Sequence, residues 1–304
     1  MLGEIIANSD PGAGIVWVYQ KPGTGWASTG AQAAILSVEA STEEPCGLTD
    51  PNPPDCSLSN NFTSSVAING DGSTIVLGYN GAVVNNESRG AVYVFVRPGT
   101  GWVDNANGVK LTRSGGAHLD LLGTAVDIRS DDSTIVTSAP QANSLSGAVD
   151  VFVKSGSWVS TTQNAELTYA AGGGLLGLGN SVGITSNGST VVAGGNGRAL
   201  IFPEPTIRIC TPLCHFITHW ADRKKSAQLT ATDANPIAWP RISGDGEFVA
   251  AAGANTQFTQ GMLYVFPNPR MAGGRTASVL SRPPPAPWMT CSASRRSRVR
   301  RRSA

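Results

Sequence analysis

The chain has 304 residues, 36 of them glycine, and is 40% hydrophobic and only 14% charged, a profile of turns and apolar strands rather than of helices rich in Lys, Glu and Leu. Its formal net charge of +1 hides an asymmetry: residues 270–304 hold nine arginines and no acid, which leaves residues 1–269 with 13 basic against 21 acidic groups. An acidic body has the wrong sign for a nucleic-acid surface, and no apolar run is long enough to cross a bilayer as a helix.

The first periodic segment, Glu4-Ile5-Ile6-Ala7-Asn8-Ser9, reads as a strand and matches Thr74-Ile75-Val76-Leu77-Gly78 further on. The chain is therefore expected to begin inside a repeat, with an N-terminal portion and any export signal lying upstream. Next comes Gly14-Ile15-Val16-Trp17-Val18-Tyr19 running into Pro22-Gly23-Thr24-Gly25-Trp26, and this pattern returns. It appears as Gly90-Ala91-Val92-Tyr93-Val94-Phe95 before Trp102, and as Gly147-Ala148-Val149-Asp150-Val151-Phe152 before Trp158. Arg198-Ala199-Leu200-Ile201-Phe202 reaches Trp220 only after extra residues, and Gly261-Met262-Leu263-Tyr264-Val265-Phe266 runs into Pro267-Asn268-Pro269 with no tryptophan. Short runs of β-branched and aromatic residues closed by Pro, Gly and Ser are strands entering turns.

Around each copy the same neighbours recur. A first strand (Ser64–Ile68, Thr124–Ile128, Asn180–Ile184 and, more loosely, Trp239–Ile242) meets a polar turn such as Asn69-Gly70-Asp71-Gly72 or Ser243-Gly244-Asp245-Gly246. Asn-Gly and Asp-Gly pairs supply the positive φ of tight hairpins. A second strand (Thr74–Leu77, Thr134–Thr137, Thr190–Ala193, Phe248–Ala251) precedes the glycine-led strand, and a short fourth strand ends in Leu-Ser or Leu-Thr, as in Ile35-Leu36-Ser37 and Gln228-Leu229-Thr230. Four antiparallel strands in a unit of about 50–60 residues, too small to fold alone, make a propeller blade. The recurring tryptophans are expected to pack between neighbouring blades, because a large residue repeated at one position is what stacked sheets bury.

This grammar resembles the FG-GAP repeat proteins, whose blades build the β-propeller of integrin α-subunits. The family's Phe-Gly and Gly-Ala-Pro are matched best by Leu121-Leu122-Gly123, reaching Ser138-Ala139-Pro140 and then Gly147-Ala148-Val149. The resemblance covers nearly all of residues 4–269 and implies an all-β fold: a β-propeller of four-stranded antiparallel blades, incomplete, with about four to five blades present. Calcium-binding members carry an Asp-rich loop between the first two strands; here that place holds a tight turn with one or two acids, so Asp71, Asp131, Asp132 and Asp245 are read as turn formers and no metal is expected.

Residues 1–269 thus form the blades, with inserts at 38–61 and 206–219. In the first insert Cys46 and Cys56 are a candidate disulfide of the kind found in exported proteins; the alternative is two free thiols. The second contains Cys210, Cys214, His215 and His219 without a zinc-finger spacing, since Cys214 and His215 are adjacent. Beyond Pro269 the grammar stops. The codons beneath Trp288-Met289-Thr290-Cys291, moved back one nucleotide, can spell Leu-Asp-Asp-Leu-Phe-Gly, the opening of a further blade. Residues 270–304 are accordingly read as a frame-shifted, disordered tail rather than as a basic arm.

Chemistry is sparse. His118, His215 and His219 are the only imidazoles, and no nucleophile elbow, His-Glu-x-x-His pair or phosphate-binding loop is present. No catalytic residue, metal site or cofactor is expected, and the chain is not expected to be an enzyme. Recognition is placed on the loops joining second and third strands, which repeat symmetry gathers on one face; their candidate contacts are Tyr79, Asn80, Gln141, Asn143, Asn255 and Gln257. Neutral amides there suit protein backbone or carbohydrate. The expected role is a non-catalytic binding or scaffolding propeller of an exported or cell-surface protein. The alternative is a propeller domain of an exported hydrolase or lyase whose catalytic residues lie outside this chain.

Overall fold

The computed structural model describes residues 5–10, 14–26, 32–38, 64–105, 108–169, 177–210, 214–231, 236–255, 260–268 and 278–279. They form five consecutive antiparallel sheets in which strand order follows chain order. Blade 1 comprises β1 (Ile5–Asp10), β2 (Ile15–Gln20) and β3 (Ala34–Ser37). Blade 2 comprises β4 (Ser64–Ile68), β5 (Thr74–Tyr79), β8 (Ala91–Val96) and β9 (Val109–Thr112), with a small hairpin of β6 (Val83–Val84) and β7 (Glu87–Ser88) between its middle strands. Blade 3 comprises β10 (Val126–Ile128), β11 (Thr134–Ala139), β12 (Ala148–Val153) and β14 (Ala165–Thr168), with β13 (Thr161–Thr162) leaving to join blade 2.

Blade 4 comprises β15 (Ser181–Ile184), β16 (Thr190–Gly195), β17 (Arg198–Pro203) and β21 (Ala227–Leu229). The insert at 206–219, unpatterned as sequence, is a hairpin of β18 (Thr206–Cys210) and β19 (Cys214–Thr218), after which β20 (Arg223–Lys224) joins blade 3. Blade 5 comprises β22 (Ile237–Ile242), β23 (Phe248–Asn255), β24 (Gln260–Pro267) and β25 (Ser278–Val279). The loosest predicted strand, β22, carries a bulge between Ala238 and Arg241, which turns Trp239 out to 66% exposure at φ +48°. Residues 39–61, with Cys46 and Cys56, and the tail apart from β25 lie outside the described residues.

Each blade's first strand packs on the blade before it: β4 on β1, β10 on β4 and β5, β15 on β10 and β11, β22 on β15 and β16. The apolar core is therefore a series of layers between blades rather than one central cluster. Three layers repeat one design. Trp102 lies with Val18, Ala34 and Leu36 of blade 1 and Ile68, Ile75 and Phe95 of its own blade. Trp158 lies with Val94, Val109 and Leu111 on one side and Ile128, Ile135 and Phe152 on the other. Trp220 lies with Val151, Ala165 and Leu167 against Ile184, Val191 and Phe202. The three indoles are 8%, 6% and 5% exposed, whereas Trp26 is 41% exposed. Burying such a ring contributes about 4–6 kcal/mol by area, before the cost of ordering it.

The polar turns hold the indoles in register. Asp71, Asp131, Asn187 and Asp245 each accept the backbone N–H two residues on, at 2.9–3.1 Å, the side-chain turn expected of these residues. The next position is left-handed in all four blades, at Gly72, Asp132, Gly188 and Gly246. From it the Gly72 carbonyl accepts the Trp102 Nε1–H at 3.2 Å, and Asp132 Oδ1 accepts that of Trp158 at 2.8 Å.

Past its tryptophan the chain crosses to the preceding blade and pairs in parallel with that blade's outer strand. Asn105 bridges Leu36, Thr161–Thr162 pair with Leu111–Thr112, and Arg223–Lys224 pair with Leu167–Thr168. The carboxylates of Asp104 and Asp222 accept the Ile35 and Glu166 amides at 2.8 Å. Inner edges are clasped through glycine: Gly90 and Gly147, at φ +83° and +76°, bridge Leu122 and Leu178 of the following blade, and a Cβ at either would lie within 2.3 Å of a backbone oxygen.

A pinned polar cluster on the loop face

The loops joining second to third strands lie at one end of the blades, where outer strands also finish. At the junction of blades 2 and 3 this end carries an ionic cluster. Arg113 follows the outer strand β9 and is only 7% exposed. Its Nη1 donates to Asp150 Oδ1 and its Nη2 to Glu166 Oε1, both at 2.6 Å, and its Nε lies 3.6 Å from Asp120 Oδ2. Asn143 Nδ2 donates to the same Glu166 oxygen at 2.6 Å.

The repeat explains why this junction is unusual. The residue two past each outer strand's leucine (Val38, Arg113, Tyr169, Ala231) meets the third residue after the glycine of the next glycine-led strand (Tyr93, Asp150, Leu200, Tyr264). Val38 shares a layer with Tyr93, Tyr169 with Leu200 and Ala231 with Tyr264. Only between blades 2 and 3 do two charges replace that apolar contact. Asp150 is completely buried, and burial pushes its carboxyl up to about 7, an effect that Arg113 opposes without cancelling. Its register partner on β11, Thr137, is equally buried; Asp150 Oδ2 and Thr137 Oγ1 share one face of the sheet and have no protein partner among the described residues. Glu166 is partly exposed, and its hydrogen bonds to Asn143 and Arg113 outweigh burial and hold it below the usual carboxylate range.

Above the cluster the 140–146 loop is strained. Asn143, Ser144 and Leu145 take φ of +54°, +57° and +69° in succession, a left-handed turn closed by the Leu145 N–H on the Gln141 carbonyl. Left-handed backbone costs a residue with a Cβ about 1–2 kcal/mol, so the turn must be held from outside. Asn143 is held by Glu166, and the Gln141 N–H donates to the Asp120 carbonyl. Leu145 is left 44% exposed.

The predicted contacts are not equivalent. Asn143 is exposed at the cluster and Gln141 half-buried beside it. Asn80 is 3% exposed and donates to Thr124 Oγ1 at 3.2 Å, which braces its loop. Tyr79 is half-buried toward blade 1, and burial raises its hydroxyl; nearby Tyr93 is pushed up to about 12 by burial and by Tyr79. Lys110 Nζ, 6.0 Å above the Tyr93 ring, donates to the Val83 carbonyl and pins the β6–β7 hairpin. The Asn255 side chain and Gln257 lie outside the described residues. Among the described residues no group of three His, Cys, Asp or Glu side chains is arranged to hold a metal ion, and no helix is long and apolar enough to cross a membrane.

No family model matches the chain, and no curated protein matches it. Among solved structures, it resembles a functionally unknown protein from Desulfotomaculum acetoxidans, with a TM-score of 0.51 at 13% identity, over 92% of this chain and 69% of that one. It also aligns with TolB from Acinetobacter baumannii, with a TM-score of 0.45 at 12% identity, over 92% of this chain and 53% of the other. The chain is an all-β protein built of propeller blades.

Proposed function

We propose that this chain is a non-catalytic binding or scaffolding propeller of an exported or cell-surface protein, of the FG-GAP kind that its repeat grammar resembles. Its recognition surface is the face carrying the loops between second and third strands. One observation supports this above others: three consecutive left-handed residues, Asn143 to Leu145, are held against a buried ion cluster so that an amide, a hydroxyl and an apolar side chain stand outward together. Strain kept in place by surrounding structure is a mark of functional loops, and that mixture suits a protein or carbohydrate surface.

A panel of immobilised glycans and extracellular proteins, probed with the full chain and with a Ser144→Ala/Leu145→Ser variant that leaves the Asn143–Glu166 bond in place, tests the proposal. The expected result is saturable binding that falls at least tenfold in the variant while its thermal unfolding is unchanged. Binding indifferent to the variant, or turnover of a bound polysaccharide by the chain itself, would overturn it.

A further inference from the structure

Between blades 4 and 5 lies a cavity of about 440 Å³, within the usual range of ligand sites, about 300–1,000 Å³. Its apolar lining includes Ile201, Ala227 and Leu229 from blade 4 and Ile242, Val249 and Phe266 from blade 5. These are the same six repeat positions that enclose Trp102, Trp158 and Trp220 in the three earlier layers. Gly246, counterpart of the Gly72 whose carbonyl accepts an indole N–H, also lines it. The fifth blade has no tryptophan between Phe266 and Trp288. The lining is correspondingly uncovered: Ala227 is exposed and Leu229 half-exposed, whereas Ala34, Ala165, Leu36 and Leu167 are at most 1% exposed.

Among the described residues a second element also has no counterpart at this junction. In blades 1 to 3 the outer strand receives a parallel segment that starts three residues after the indole of the next blade, and in blades 1 and 3 an Asp two residues past the Trp accepts the strand's second amide. The outer strand of blade 4, β21, has no such neighbour among the described residues. Its Gln228 amide stands where those of Ile35 and Glu166 meet Asp104 and Asp222.

We infer that the blade 4–blade 5 junction is a docking site for an extended peptide of another protein carrying Trp-X-Asp. The indole fills the cavity with its N–H on the Gly246 carbonyl, the Asp accepts the Gln228 amide, and the following residues extend blade 4 as a parallel edge strand. The site reproduces for a partner what the chain does for itself three times, combining strand addition with a pocket for one side chain. It lies away from the loop face, so it stands or falls separately from the proposed recognition surface.

The test is fluorescence anisotropy with the full chain and a labelled peptide of sequence Thr-Gly-Trp-Val-Asp-Asn-Ala, that of residues 100–106. Saturable binding is expected, weakened about 30-fold or more by Trp→Ala in the peptide, the loss typical of a buried aromatic anchor. Gln228→Pro, which removes the amide on an edge strand where proline is tolerated, should weaken it about tenfold, and Ala227→Phe should abolish it by filling the cavity. If Ala227→Phe fails to fold, the peptide variant and Gln228→Pro still decide. No saturable binding, or equal affinity for the peptide lacking tryptophan, would overturn the inference.

Discussion

Asp150 makes stability depend on pH in a window of its own. An ordinary aspartate titrates near 3.8, and burial moves this one to about 7. Its folded pKa lies above its unfolded value, so the folded state holds the proton more tightly. The stabilisation is complete below about pH 4 and is lost as pH rises through 7. At about 1.4 kcal/mol per pH unit the displacement amounts to about 4 kcal/mol, an upper figure for a group beside a guanidinium. Glu166, with a lowered pKa, acts in the opposite sense and elsewhere: its contribution is lost as pH falls below its ordinary 4.5. Asp150→Asn keeps the shape of the protonated acid, retains an acceptor for Arg113 and removes the titration. Urea unfolding of both proteins from pH 4 to 8 separates the effects. The variant should match the parent near pH 4 and exceed it progressively, by up to about 4 kcal/mol at pH 8. Parallel curves across the range would refute the assignment of a raised pKa to this buried carboxyl.

Arg113→Ala should cost about 3–5 kcal/mol in the same unfolding assay, because it strips the guanidinium from Asp150 and Glu166, whereas Arg113→Tyr with Asp150→Leu, copying Tyr169 and Leu200 of the next junction, should be neutral or stabilising. Trp158→Ala should cost about 3–5 kcal/mol, while Trp26→Ala, at an exposed site, should cost less than about 1 kcal/mol. Gly147→Ala and Gly156→Ala both place a Cβ at positive φ, +76° and +77°, but only the first meets a backbone oxygen at 2.3 Å. Thermal denaturation should show about 1 kcal/mol lost at Gly156 and clearly more at Gly147.

Much of the fold was legible because each blade spells the same four strands with the same turn chemistry. The apolar alternation around Trp102, Trp158 and Trp220, and the Asp or Asn of each tight turn, are local signals that a single chain carries openly. What crosses between blades was not legible. β13 and β20 are two residues long and polar, and they exist because a neighbouring edge offers free backbone groups, not because Thr161-Thr162 or Arg223-Lys224 favour strands. The hairpin of β18 and β19 was hidden by Pro212 and by the cysteines and histidines around it. Asp150 was visible as the lone acid in a column of Trp17, Tyr93, Leu200 and Tyr264. Its partner Arg113 belongs to the preceding unit, so the pair emerges only when outer strands are set against the next blade. Asn80 was legible as a loop amide, but its partner Thr124, far along the chain, shows only once the blades are set together.

The central claim is that blades 2, 3 and 4 each reach back to the outer edge of the blade before, in a fixed parallel register. Cysteines at Thr112 and Thr162, which are register partners on β9 and β13, test it most directly in a background where the five native cysteines are serine. The account predicts that oxidation closes an intramolecular disulfide in the folded protein, detected by mass after alkylation, and that a Thr112→Cys/Asn164→Cys control stays reduced. A Thr112–Thr162 pair that remains fully alkylatable, or a control that closes equally well, would contradict it.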